Sequence, residues 1–186
     1  MQNKGTILIV DDRLQEKIGK FKDYLEEDGY VVQIAETLEK ADECLSELIS
    51  KNSLDGIILD FSFPVNEKDP SVQSKGKPNG VVLYEKFSFK IRTQGIPIVI
   101  NTTGDEEYKR KYMGDIENLG TPVYNVNHEA NPLAQASPDL VNDILEMFNE
   151  RNDKRVSTCN IQPDKKWLKK GGPFLRDEKG NIIGYR

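Results

Sequence analysis

The chain has 186 residues, 37% of them hydrophobic and 31% charged, with a formal net charge of −5. It contains no apolar stretch near the roughly 18 residues of a membrane span. Only Cys44 and Cys159 are present and His128 is the single histidine, which excludes a disulfide framework and any site that needs two histidines. Charge is split along the chain. Residues 1–150 hold 16 basic against 27 acidic side chains, a net −11, and residues 151–186 hold 10 against 4, a net +6. The basic tail can dock back onto the acidic body or meet an anionic partner. Met1-Gln2-Asn3-Lys4-Gly5 lacks the apolar region of a signal peptide, so a cytoplasmic chain with no membrane partner is expected.

Thr6-Ile7-Leu8-Ile9-Val10 predicts a first strand that stops at Asp11-Asp12. Leu14, Ile18, Phe21 and Leu25 then recur at helical spacing, with Gly29 as the stop. Tyr30–Ala35 predicts the second strand, and Thr37 N-caps a helix that buries Leu38, Ala41, Leu45 and Leu48. Gly56-Ile57-Ile58-Leu59 is a third, fully apolar strand ending at Asp60. The polar stretch Val65–Asn79, with Pro70, Gly76 and Pro78, has no periodicity and predicts a long exposed loop.

A helix from about Asn79 carries Val81, Tyr84, Phe87 and Ile91 on one face. Ile96–Ile100 is a fourth strand ending at Asn101-Thr102-Thr103-Gly104, and a helix is predicted from about Asp105 to Leu119. Pro122–Val126 has the polar character of an edge strand. Ser137-Pro138-Asp139 starts the last helix, whose stripe is Leu140, Val141, Ile144, Leu145 and Phe148. Beyond about Asn152 the pattern breaks, leaving Lys165–Lys170 and a possible hairpin, Phe174 to Tyr185, turning at Lys179-Gly180-Asn181. The expected organisation is one α/β domain over residues 5–150, interrupted at about 65–79, with 151–186 a basic C-terminal extension that is not an independent domain.

Five strands alternating with helices predict a parallel sheet covered on both faces, and such sheets place ligands at the carboxyl ends of their strands. That edge gathers Asp11, Asp12, Asp60, Thr102, Thr103 and the stretch Asn125–His128. Three carboxylates with no lysine or arginine among them repel each other unless one is protonated or a cation is present. Hard oxygen ligands suit Mg²⁺, and a carboxylate nucleophile beside it is equipped to accept a phosphoryl group.

At Ile7-Leu8-Ile9-Val10-Asp11-Asp12, Ile57-Ile58-Leu59-Asp60-Phe61-Ser62-Phe63-Pro64, Gly80 and Ile96–Thr103, the chain resembles the receiver domain of two-component response regulators. The resemblance covers roughly residues 5–150. It implies a flavodoxin-like, doubly wound sheet of five parallel strands in the order 2-1-3-4-5, and a phosphoacceptor at Asp60 served by a sensor histidine kinase or phosphotransfer protein. It further implies Mg²⁺ held by Asp12, Asp60 and the Ser62 carbonyl, with Asp11 helping. Thr102, followed by Thr103, matches the hydroxyl that binds the phosphoryl group and couples it to the fourth helix. Tyr124 falls where the family often places a switching aromatic.

The chain departs from that pattern in two places. The lysine expected after strand five falls on Asn127, and the following proline on His128, so the cation that reads phosphorylation is missing from its usual position. The stretch 65–79 is an insertion, read either as a lid or partner-selecting surface or as an excursion without order. The expected function is an atypical stand-alone receiver, phosphorylated on Asp60 and signalling through contacts with a downstream protein. The alternative is a pseudo-receiver that acts as an interaction module without phosphorylation. An enzyme is not expected, because an Asp-nucleophile phosphohydrolase needs a second Asp where Ser62 stands. Nucleic acid is not expected either, since Trp167 is one aromatic in one short basic stretch.

Overall fold

Apolar runs rich in β-branched residues leave their backbone groups to be satisfied by neighbouring strands. In the computed structural model the elements run β1 (Gly5–Val10), α1 (Phe21–Glu27), β2 (Tyr30–Ala35), α2 (Leu38–Ser50), β3 (Leu54–Leu59), β4 (Gln73–Ser74), β5 (Lys77–Pro78), α3 (Asn79–Gln94), β6 (Ile98–Ile100), β7 (Val123–Asn125), α4 (Pro138–Asn160), β8 (Phe174–Arg176) and β9 (Ile182–Tyr185). The structure describes residues 4–14, 18–102, 111–112, 123–125, 133, 138–160, 174–176 and 182–185, with side chains excepted at 123–125, 155–160, 174–176 and 182–185.

β1, β2, β3, β6 and β7 form one sheet in the order β2-β1-β3-β6-β7, parallel throughout. Alternation along the strands sends side chains to two separate cores. Leu8, Val10, Ile57, Leu59, Ile98 and Ile100 pack with Leu45 and Leu48 of α2 and Val81 and Phe87 of α3. Ile7, Ile9, Ile58 and Val99 pack with Phe21 and Leu25 of α1 and Ile144 and Phe148 of α4. β3, central and covered on both sides, is buried at every position. Cys44 is partly buried beside the first core, and burial, then Glu47 and Glu43, push its thiol pKa up.

The chain divides into two compact units, Met1–Asp153 and Lys154–Arg186. The second contains the end of α4 and the antiparallel pair β8–β9, in which Phe174 faces Tyr185. Two helix expectations need correction. Leu14 is helical as expected, but the helix is interrupted: residues 18–20 form a turn in which Ile18 and Gly19 both donate to the Leu14 carbonyl and Gly19 takes a φ of 50°, and α1 follows from Phe21. The last helix does not stop near Asn152 but runs to Asn160, because no glycine or proline intervenes to break it. The predicted fourth helix lies outside the described residues except for Lys111 and Tyr112, which are helical. Ser137 also lies outside them.

The stretch after Pro64 carries the largest addition to the expected fold. It is exposed over most of its length, as expected of a loop, but it is folded on itself and tied to the domain. β4 and β5 pair as an antiparallel hairpin around Lys75 and Gly76, which take φ of 55° and 71°, the conformation a two-residue hairpin turn requires. The first N–H groups of a helix have no partner within it. Here the segment's entry supplies some of those partners: Leu38 donates to the Pro64 carbonyl at 2.9 Å and Glu39 to Val65 at 3.1 Å. Glu39 also accepts from Asn66, and Lys40 pairs with Glu67.

The exit is tied by Asn79, which is fully buried. Its Nδ2 donates to the carbonyls of Phe63 (2.7 Å) and Ser71 (2.8 Å), its Oδ1 accepts from Ser74 (2.7 Å), and its backbone N–H donates to Val72. One amide thus closes the excursion onto the loop after β3. Replacing it strands buried carbonyls, so Asn79→Ala is expected to lower stability by about 1–3 kcal/mol in urea unfolding. Amide exchange in residues 65–78 is expected to quicken more than in β3; protection of that segment equal to the native protein's would contradict the assignment.

Candidate phosphoryl and cation site

The register of the sheet assembles the site. Val10 pairs with Leu59, and Leu59 with Ile100. One residue further on, Asp60 N–H donates to the Val10 carbonyl at 2.9 Å and Asn101 N–H to the Leu59 carbonyl at 3.0 Å. Asp11, Asp60 and Asn101 therefore form one row at the carboxyl ends of three neighbouring strands. Asp11, Asp12 and Asp60 bring carboxylate oxygens within 4.8 Å of one another. Asp11 and Asp60 are buried and Asp12 is exposed.

Backbone donors fix the two buried acids. The Phe61 N–H donates to Asp60 Oδ1 at 2.7 Å, and the Arg13 N–H donates to Asp11 Oδ1 at 2.8 Å. The expectation of a site without lysine or arginine needs amendment, because Arg13 Nε lies 3.9 Å from Asp12 Oδ1 at the exposed rim. This pair is too long and too exposed to neutralise the buried carboxylates. Like charges about 4 Å apart repel by roughly 4 kcal/mol at the effective dielectric near a protein surface. The donor set, hard anionic oxygens with water access on the Asp12 side, fits a divalent cation such as Mg²⁺.

Around Asp60 the backbone is held tightly. Phe61 and Phe63 are fully buried, Phe61 edge-on to Tyr112 with ring centroids 6.5 Å apart, and Ser62 sits between them, partly exposed. Gly80 N–H donates to the Phe61 carbonyl at 3.0 Å. A Cβ at Gly80 would overlap the Asp60 carbonyl oxygen, so the start of α3 lies against the phosphoacceptor candidate's own backbone. Thr102 follows Asn101 and is 2% exposed.

Of the remaining sequence candidates, Tyr124 lies in β7 opposite Val99, with its side chain outside the described residues. Thr103, Asn127 and His128 also lie outside them. Sequence reasoning passed over Arg13, Asn79 and Asn101. Only Asn101 left a signal, as an amide closing a wholly apolar strand. Because Gly80 must touch Asp60, Gly80→Ala is expected to cost about 1–3 kcal/mol of stability by overpacking. It is also expected to weaken divalent-cation binding measured by calorimetry; a variant with native stability would refute the contact.

No protein-family model matches the chain, and no curated protein matches it in sequence. Solved structures do match. A response regulator receiver domain protein from Clostridium thermocellum is 17% identical, with a TM-score of 0.53 over 83% of this chain and 98% of that one. The signal receiver domain of a putative Luxo repressor protein from Vibrio parahaemolyticus is 14% identical, with a TM-score of 0.52 over 83% and 96%. NtrX from Brucella abortus is 16% identical, with a TM-score of 0.51 over 85% of this chain and 29% of that one. No helix among the described residues is long and apolar enough to cross a membrane. The chain has the fold of response-regulator receiver domains.

Proposed function

We propose that this chain is an atypical response-regulator receiver that accepts a phosphoryl group on Asp60 and signals by binding a downstream protein. The observation that carries the reading is the convergence of Asp11, Asp12 and Asp60, from two adjacent strands, within 4.8 Å at the carboxyl edge of a receiver fold. A carboxylate oxygen of Asp60 attacks the phosphorus of a phosphohistidine on a kinase or phosphotransfer protein. The P–N bond breaks, an acyl phosphate forms, and the imidazole nitrogen departs with a proton from solvent. The Phe61 N–H orients the attacking carboxylate. Mg²⁺, held by Asp12, Asp60 and the Ser62 carbonyl with help from Asp11, would neutralise the charge that accumulates as the phosphoryl group arrives. Thr102, buried beside the row, is the hydroxyl assigned to the phosphoryl oxygen, with Thr103 and Tyr124 as further switch candidates.

The partners on this reading are proteins at both ends, a phosphodonor and a target, with no nucleic acid or membrane and no catalysis of its own beyond self-phosphorylation. A pseudo-receiver is the second reading, favoured by Asn127 and His128 in place of the usual lysine and proline. The two differ at Asp60. Incubation with Mg²⁺ and acetyl phosphate is expected to add one phosphoryl mass, acid-stable and base-labile, that is absent in Asp60→Ala. No adduct, or an adduct that persists in Asp60→Ala, would leave the interaction module as the better reading.

A further inference from the structure

Asn101 is 1% exposed, and neither its Nδ2 nor its Oδ1 has a hydrogen-bond partner among the described residues. A buried amide that engages neither donor nor acceptor destabilises a fold, and an apolar side chain of similar size would do better in its place. The strand face gives no reason for an amide here, since Val99, two residues back on it, packs in the core of Ile9, Ile58, Ile144 and Phe148. Its position supplies one. Ile9, Ile58 and Val99 share that core, so alternation sends Asp11, Asp60 and Asn101 out on the same side of the sheet. They stand in one row, held by the Asp60-to-Val10 and Asn101-to-Leu59 backbone bonds. Adjacent strands lie about 4.8 Å apart, so the Asn101 amide is the immediate lateral neighbour of the Asp60 carboxyl.

We propose that Asn101 is a phosphoryl-binding residue whose side-chain N–H donates to an oxygen of the group carried on Asp60. The inference rests on the reading of Asp60 as phosphoacceptor and adds a donor to that site. A neutral amide can sit in a row of carboxylates without an ion pair, and it gains a charge-assisted bond only when the anionic phosphoryl group arrives. The donor is thus kept idle in the resting state and engaged in the phosphorylated one. It takes over, within the sheet, part of the role that a lysine would otherwise play.

Beryllium trifluoride, a phosphoryl mimic, tests this in the presence of saturating Mg²⁺, with Mg²⁺ alone as the parallel measurement. Asn101→Leu is expected to unfold at the same temperature as the native protein or higher, because it removes an unsatisfied amide. Its Mg²⁺ affinity is expected to stay unchanged, while its affinity for beryllium trifluoride falls about tenfold to a hundredfold, the loss of one charge-assisted hydrogen bond. Asn101→Val is the companion variant should leucine overfill the site. Native affinity for beryllium trifluoride in a folded variant would overturn the proposal. A parallel loss of Mg²⁺ affinity would also overturn it, by making Asn101 a general structural support. Failure of the native protein itself to bind the mimic would instead strike at the assignment of Asp60, and the proposal would fall with it.

Discussion

Mutual repulsion among carboxylates is the constraint on which the rest of this structure depends. A parallel sheet in register brings the ends of β1 and β3 side by side, and both strands end in aspartate. Asp11 and Asp60 are then buried within reach of each other and of Asp12. Burial strengthens the repulsion, and Arg13 lies at the exposed rim, 3.9 Å from Asp12. An arrangement that stores unfavourable electrostatics at one edge of an otherwise apolar sheet is what a site for a cation and an incoming phosphoryl group requires.

The neighbouring backbone is organised to hold that arrangement still. Gly80 has no side chain because the Asp60 carbonyl occupies the space, and Asn79 beside it binds the Phe63 carbonyl while closing the 65–79 excursion. The same two residues that begin α3 therefore fix the loop carrying Phe61, Ser62 and Phe63. The excursion caps the start of α2 through the Pro64 and Val65 carbonyls. It is built into the domain at both ends, so any movement of the loop after β3 is felt there, and a partner bound to it would act on the loop in turn.

Much of this was legible in the sequence, for a definite reason. Apolar runs such as Ile57-Ile58-Leu59 encode their own burial, and an acid closing such a run marks a strand end, so the strands and the row Asp11-Asp60 could be read from pattern alone. What escaped depends on single residues whose effect is not periodic. Gly19 interrupts the first helix, although Ile18, Phe21 and Leu25 are all buried. Residues 65–79 fold through turn geometry at Lys75-Gly76 and the tertiary bonds of Asn79, neither of which leaves a hydrophobic period. The last helix continues past its apolar stripe to Asn160 because no glycine or proline breaks it. Asn101 was visible as a polar strand end, but its want of a partner belongs to the folded state alone.

If the acidic row is a cation site and not an incidental meeting of acids, Mg²⁺ must bind the folded chain there. The most direct measurement is thermal unfolding of the native chain across a Mg²⁺ titration at constant ionic strength, with Na⁺ as the control. A cation that binds only the folded state raises the midpoint by mass action, so a saturable rise with Mg²⁺ that vanishes in Asp60→Ala is expected. A midpoint indifferent to Mg²⁺, or a rise that Asp60→Ala retains in full, would contradict it.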